Sequence, residues 1–573
     1  MKKISIYTIA AMLFLATGCR KDSTIDGMLI VSEGMRSDSK AMVDDLTLNW
    51  VAGESIRING ENKNIVVNGE NQAYLENVPT SSIYRALYPA TLNSNASLDN
   101  DIVTVTIPDT YTYTVNDGKQ ILEVPMAARS TDGSRLYFKH LTAAITVEII
   151  NYYGFAVLVD SVVVTSSDAG TPYQISGVTN INLTNDSMGI TLNSNPTAGQ
   201  KKVKMLFGDG THAMKINQGA TKKVQVPVLP VGSGNKFSIS VTVHKDGDAA
   251  VTKTFTKTQS SGGAMGRAKM AYAGHTVGFL FSIGNNKKVI ISQGNLQYQA
   301  SSRTWRFAAN QYDYIGATAG NTTTMANGRA SQAAWIDLFG WGTSGWNNGN
   351  TYYKPYDVGS NGTPGQGYGY GPTNGSAYVY SLTGVYSESD WGVSNKISNG
   401  GNTVGMWRTL TGGANSEIDS LFKYRTTTTT NMPAGTNDGQ ARYIKAIVEG
   451  IKGILLFPDN YSHPYGVDIS GSNRCYNATS ATYFFDGFVL RANDWPKMEA
   501  AGAVFLPAAG HRSNTSVSEV NTHANYWSAT ISGTSSAQTI KFFDDRNRTN
   551  NSSLSTGTYR SNGCSVRLVM DVR

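Results

Sequence analysis

Between residues 28 and 279 the apolar positions of the chain alternate. In "DIVTVTI" Val103, Val105 and Ile107 fall on one side of an extended segment, with Thr104 and Thr106 on the other. "AAITVEII" sets Ile145, Val147 and Ile149 opposite Thr146 and Glu148. "KFSISVTVHK" repeats the pattern with Phe237, Ile239, Val241 and Val243. A period of two with one polar face predicts half-buried strands. Gly, Asn and Asp in "INGENKN", "NDGK" and "HKDGD" supply the turns between them. So many short strands exceed one small sandwich, and two are expected, over residues 37–152 and 153–280. His244 lies on the polar face of its strand, where solvent is the expected partner.

Beyond Ile283 the pattern changes. "KKVIISQGNLQYQASSRTWRF" reads as two or three further strands, but most of the remaining chain is loop rich in Gly, Asn, Tyr and Ser. Helical spacing occurs in two places. In "NSEIDSLFK" Ile418, Leu421 and Phe422 stand at i, i+3 and i+4, with Asn415 or Ser416 as cap. "PKMEAAGA" opens on a proline, which suits a first helical turn. Every tryptophan except Trp50 lies in this half. The expected class is mostly β: two tandem β-sandwich domains followed by an α+β domain over residues 284–573.

Composition supports several cores and narrows the partners. Of 573 residues 40% are hydrophobic and only 16% charged, and the net charge of +7 is modest for this length. No Lys/Arg-rich run tracks phosphates, so nucleic acid is not an expected partner. Lys2 and Lys3 precede an apolar run from Ile4 to Leu15, too short to span a bilayer but suited to a signal peptide. Ala16, Thr17 and Gly18 then lead into Cys19, and the arrangement resembles a bacterial lipobox. That resemblance implies a signal peptide over residues 1–18 and a diacylated Cys19 as mature N-terminus. The protein is then expected as a surface-exposed lipoprotein of the outer membrane, with lipid as its membrane attachment. The plainer alternative is an ordinary secretory cleavage site that adjoins a cysteine. Cys475 and Cys564 form either one disulfide or two buried free thiols, and both readings stand.

Candidate chemistry is sparse. The seven histidines are dispersed without metal-ligand spacing, and no nucleophile or phosphate-loop motif occurs in a usable context. An enzyme is not expected, and no cofactor is. Residues 342–380 carry only Lys354 and Asp357 as charges, beside Trp346 and a run of tyrosines. Sugars present apolar CH faces and hydroxyl rims, so Trp346, Tyr352, Tyr353, Tyr356, Tyr368 and Tyr370 are the candidate ligand-binding set. The competing reading is that these rings pin a long loop onto its own domain. Calcium would suit oxygen ligands in "FPDN" (Phe457 to Asn460) or "DDRN" (Asp544 to Asn547), although neither matches a sugar-binding calcium motif.

Two resemblances add to this reading. "NWVAGESIRING", "YRALYPA", "VPMAA", "LYFKHLTAAITVEI" and "GRAKMAYAGHTVGF" occur in this order between Asn49 and Phe279. They resemble the fimbrillin family, the lipoprotein-derived pilus subunits of Bacteroides-like bacteria. "WIDLFGWGTSGW", "SDWG", "ISNGGN", "WRTLT", "GAVFLPAAGHR", "YWSAT" and "SVRLV", within Lys287 to Val569, resemble the FISUMP-type domain of the C-type-lectin-like superfamily. The second resemblance places Trp335, Trp341, Trp391, Trp407 and Trp527 in a core. The first implies transthyretin-like pilin sandwiches and cleavage by an arginine-specific protease after Arg36, in a polar loop. Residues 19–36, carrying the lipid and the first strand, would then leave. A strand of another fimbrillin subunit would replace them by strand exchange, leaving the protein in a fimbria. Because "SVRLV" reads as the last domain's own closing strand, the resemblance implies a tip adhesin with a lectin-like head for a surface glycan or protein receptor. The alternative is a non-polymerising outer-membrane lipoprotein that binds glycan or protein.

Overall fold

A computed structural model describes residues 27–32, 36–37, 50, 52–67, 72–93, 98–116, 119–166, 173–184, 188–210, 213–259, 262–322, 333–346, 355, 380–431, 441–467, 489–490, 493–513, 516–543 and 552–572. The protein is mostly β, as the alternation predicts, and its strands distribute over several sheets.

The first body differs from the β-sandwich expected of it. Its strands close into a barrel in the order Gly27–Ser32, Arg135–His140, Met126–Ser130, Tyr84–Tyr88, Ser55–Ile58, Glu61–Val67 and Gln72–Glu76. Closure depends on the first strand, which pairs in parallel with Arg135–His140 and antiparallel with Gln72–Glu76. A closed barrel leaves no edge strand. The tight hairpin between Ser55–Ile58 and Glu61–Val67 turns through Asn59 and Gly60, both at positive φ (45° and 88°), as "INGENKN" anticipates. The barrel is filled by Met28, Ile30, Trp50, Ile56, Leu136 and Phe138 among others. Trp50 meets Tyr88 and Phe138 edge-on at 5.0 and 5.3 Å.

The second body is a sandwich. One sheet runs Thr221–Val228, Ala143–Tyr152, Lys269–Gly278 and Arg36–Ser37. The facing sheet runs Asp248–Thr258, Phe237–Lys245, Val157–Ser166, Lys202–Leu206 and Thr110–Thr112, with Met214–Ile216 on the side of Val157–Ser166. Their inward residues, among them Ile145, Val147, Ile149, Ile239, Val241 and Val243, form one core. A division of the chain at residue 152 is crossed in two ways. Ala143–Tyr152 hydrogen-bonds only to strands of this sandwich, and Ile102–Ile107 pairs with Gly177–Asn182 in a further three-stranded sheet. That small sheet packs Val103, Val105, Ile107 and Ile181 against Leu87, Ala127 and Leu141, and so ties barrel to sandwich. Period-two patterning identifies strands but carries no label for their partners, which is why the boundary is displaced.

The last body holds short sheets and short helices. Its beginning and end meet: Lys288–Ile291 lies between Phe281–Ser282 and Val569–Asp571. Two other three-stranded sheets, Thr304–Phe307 with Leu296–Gln299 and Trp335–Ile336, and His523–Ile531 with Ser536–Phe543 and Ser552–Tyr559, contribute to a core containing Trp341, Trp391, Trp407 and Trp527, each 2% exposed or less. Trp335 departs from the expected core position. It is half-buried with the Arg306 guanidinium 3.7 Å from its ring centroid. The two expected helices form, at Glu417–Asp419 running on into a wider turn over Ser420–Tyr424, and at Trp495–Ala500. Ser416 caps the first by accepting from the Asp419 N–H.

This body is seated on the sandwich. The Lys245 ammonium meets the Glu499 carboxylate at 2.9 Å with both side chains buried, and the Tyr153 hydroxyl donates to the Ala500 carbonyl at 2.6 Å. A Cβ on Gly154 would stand 1.9 Å from the Ile291 carbonyl oxygen, so backbone approaches backbone too closely for a side chain there.

Candidate functional site

Two features bear on function: the strand that closes the barrel and the surface of the last body.

The first strand alternates as its sequence "GMLIVS" requires. Met28 (3% exposed) and Ile30 (0%) enter the barrel core, while Leu29 and Val31 are half-buried outside. Leu29, Ile30, Val31 and Ser32 stand opposite Arg135, Leu136, Tyr137 and Phe138 on one side. Met28, Leu29 and Ile30 stand opposite Leu75, Tyr74 and Ala73 on the other. Every second backbone group therefore bonds to each neighbour. Without the strand both flanking strands would be edges over a slot lined by apolar side chains. Four residues on, the backbone of Arg36 is itself paired. Arg36 and Ser37 run parallel to Lys269 and Met270 at the margin of the sandwich. The polar loop expected at Arg36 is thus a short strand. The Arg36 side chain lies outside the described residues, as do residues 1–26 with Cys19.

The C-terminal strand Val569–Asp571 is held on both sides. It pairs with Lys288–Ile291, and Val569 bridges to Arg408. Arg408 contributes a second fastening. Its Nε and Nη2 donate to the two Asp571 oxygens at 2.7 Å, and its Nη1 and Nη2 donate to Glu417 at 2.7 and 2.8 Å. The two carboxylates raise the Arg408 guanidinium above its ordinary pKa despite burial, and Arg408 holds the Asp571 carboxyl below the usual range. In the sequence Arg408 stands out only as part of the motif "WRTLT". Asp571 lies 163 positions further along the chain, and no local signal connects them.

Of the aromatic candidates, Trp346 is 40% exposed. Its backbone N–H donates to the Ser344 hydroxyl at 3.2 Å. Tyr352, Tyr353, Tyr356, Tyr368 and Tyr370 lie outside the described residues. A stacked pair that local patterning does not single out, Tyr380 on Tyr386 at 4.2 Å, stands at the far root of the same segment, beside Val385 at 85% exposure.

Cys564 is a buried free thiol, and burial pushes it up to about 12. Cys475 is outside the described residues. In "FPDN" the Asp459 carboxylate is taken up by protein donors: the Ser282 N–H and hydroxyl at 3.0 and 2.7 Å, and Arg425 at 3.1 Å. Its oxygens thus have a structural role that competes with calcium. Asp544 and Asp545 lie outside the described residues. Among the described residues no group of three or more His, Cys, Asp and Glu is placed to hold a metal ion. His244, expected to face solvent, pairs with Asp160 at 2.6 Å.

No family model matches the chain, and no curated protein matches it in sequence. Solved structures similar to it include a protein provisionally assigned to cell adhesion from Bacteroides ovatus. That pair is 12% identical with a TM-score of 0.27, over 44% of this chain and 91% of the other. A protein of the same provisional assignment from Bacteroides fragilis is 13% identical with a TM-score of 0.27, over 51% of this chain and all of the other (100%). A fimbrial protein from Bacteroides vulgatus is 10% identical with a TM-score of 0.20, over 44% and 95%.

Proposed function

We propose that the protein is a non-enzymatic adhesion subunit of the cell surface, joined to a fimbria through its barrel and ending that fimbria with its last body as adhesive head. The observation that carries this reading is the closure of the barrel by one N-terminal strand, Gly27–Ser32, held between two neighbours that are otherwise edges. Scission after Arg36 would release that strand together with Cys19 and its lipid. A strand from a neighbouring subunit then fills the slot by β-augmentation, with main-chain bonds giving affinity and the places of Met28 and Ile30 giving register. The protein begins as an outer-membrane lipoprotein and finishes in the fimbria.

A place at the tip is supported by the strand Val569–Asp571. A subunit that passes on a strand needs a free terminal segment. Val569–Asp571 is instead bonded on both sides and fastened through Arg408. That strand is therefore not available to a neighbouring subunit, which supports a place at the tip. Its head meets a surface glycan or protein receptor.

A second reading has its own support. Arg36 is paired with Lys269 rather than looped out, and proteases act on extended, accessible backbone. On that reading the protein stays a non-polymerising surface lipoprotein and binds through the same head. The deciding experiment exposes the lipidated protein to an arginine-specific protease and sequences the new N-terminus. The fimbrial reading expects Ser37 as first residue, and expects the trimmed protein to capture a stalk subunit. An intact chain that never joins a stalk subunit replaces it with the second reading.

A further inference from the structure

We propose that the head binds a neutral oligosaccharide in a double cleft around Arg408, at its junction with the sandwich. This rests on the adhesive role given to the head and names where and what it binds.

Two clefts of about 480 and 500 Å³ open on either side of Arg408. Both are within the range of small-ligand sites, and such sites favour junctions between domains. They share Val393, Arg408, Asp571 and Val572 as a common wall, so an extended ligand reaches from one to the other. The first has an apolar floor from both bodies, with Ile150 and Tyr152 from the sandwich and Met406 and Met570 from the head. The second carries the hydroxyls of Thr383, Ser387 and Thr411 in its lining. An apolar floor beside lining hydroxyls suits a pyranose, which has a CH face and an edge of hydroxyl groups.

The charges lining the second cleft, Lys287, Lys288 and Arg408 against Asp390, Glu417 and Asp571, balance one another, which argues for a neutral ligand. Arg408 is satisfied by two carboxylates through four contacts of 2.7–2.8 Å, so it has little left for an anionic sugar. The same contacts fix the positions of the Glu417 and Asp571 oxygens. Glu417 Oε2 also accepts from the Thr411 N–H at 3.0 Å, but Glu417 Oε1 and the Asp571 oxygens each take one Arg408 bond and keep capacity for another. Sugar hydroxyls can donate to these fixed acceptors without any side chain having to be ordered first. A peptide has no such opening by strand addition, because Val569 is bridged on both sides.

The test uses the purified full-length protein on an array of neutral and acidic oligosaccharides, followed by titration calorimetry with the best binder. Val393→Trp fills the shared wall, Ser387→Trp blocks the second cleft, and Trp346→Ala removes the exposed ring of the aromatic segment. We expect each bulky variant to weaken binding by about tenfold or more, with thermal unfolding unchanged, and Trp346→Ala to leave affinity intact. A neutral glycan that binds both bulky variants as tightly as the wild type overturns the cleft and leaves the lectin reading standing. Binding restricted to acidic glycans overturns the ligand class. A wild-type protein that binds no glycan removes the carbohydrate role of the head and the cleft together.

Discussion

Replacing Ile30 by alanine tests whether the first strand holds the barrel closed. Ile30 is fully buried (0% exposed) in a cluster with Trp50, Leu75, Leu136 and Phe138. Removing its three outer carbons forfeits the transfer energy of those atoms and leaves a cavity, about 2–5 kcal/mol for a buried isoleucine. The strand is short, so most of that loss should fall on its own opening equilibrium rather than on the whole barrel. Even the lower bound raises the open population by about 30-fold. Amide hydrogen exchange reads this directly, through the amides of Gln72–Glu76 and Arg135–His140 that bond to the strand. Exchange there should accelerate in the Ile30→Ala protein, while the Tyr443–Val448 and Ile451–Leu456 pair in the head stays protected. Leu29→Ala, at a half-buried outward position, should change little. A synthetic peptide of sequence GMLIVS should restore protection when added in excess. Equal exchange in the Ile30→Ala and Leu29→Ala proteins, or acceleration spread evenly over the chain, would refute the idea of a detachable closing strand.

Three further outcomes are expected. Lys245→Met leaves Glu499 buried without its cation and should cost about 3–5 kcal/mol in the unfolding of the joined sandwich and head. Adding Glu499→Leu should recover most of that loss in calorimetry. Gly154→Ala drives a Cβ into the Ile291 carbonyl and should expose the junction to limited proteolysis, whereas Gly232→Ala, with open space around its Cβ, should not. The pH dependence should differ between bodies. Burial lowers His275 in the sandwich and His463 in the head, so the stability each lends is present above the unfolded value of about 6.5 and is lost as pH falls below it. Asp337 and Asp390 in the head are pushed up to about 6 by burial, so folding is favoured as they gain protons between there and the unfolded value near 3.8. On acidification from pH 7 to 4 the two carboxyls should return on the order of 3 kcal/mol each and outweigh His463. The sandwich, where burial lowers His275, should weaken. Hydrogen exchange in Lys269–Gly278 and Tyr443–Val448 at the two pH values distinguishes the bodies, and equal acid sensitivity would contradict the assignment.

Much of the strand content follows from local chemistry. Val103, Val105 and Ile107 are buried in order along one face, and so are Phe237, Ile239, Val241 and Val243. Alternation alone places them, because successive side chains of an extended chain point to opposite faces. The caps and turns are equally local: Ser416 at its helix, Asn59 and Gly60 in their hairpin. Four tryptophans of the head motifs are buried as their motifs imply, whereas Trp335 is drawn to the margin and covered by Arg306.

What the sequence could not carry is pairing between distant segments. Nothing in "GMLIVS" states that it lies parallel to Arg135–His140 and closes a barrel, since main-chain hydrogen bonds are the same for every residue type. Nor does local chemistry link Arg408 to Asp571 or Lys245 to Glu499. Those contacts exist because the sheets bring chain segments together over separations of 163 and 254 residues. The amino-acid pattern thus determined which residues face a core and where the chain turns. Tertiary structure alone decided that Gly27–Ser32 fills the slot between two barrel strands and that Val569–Asp571 is locked in place, because only the packed fold sets which edges meet.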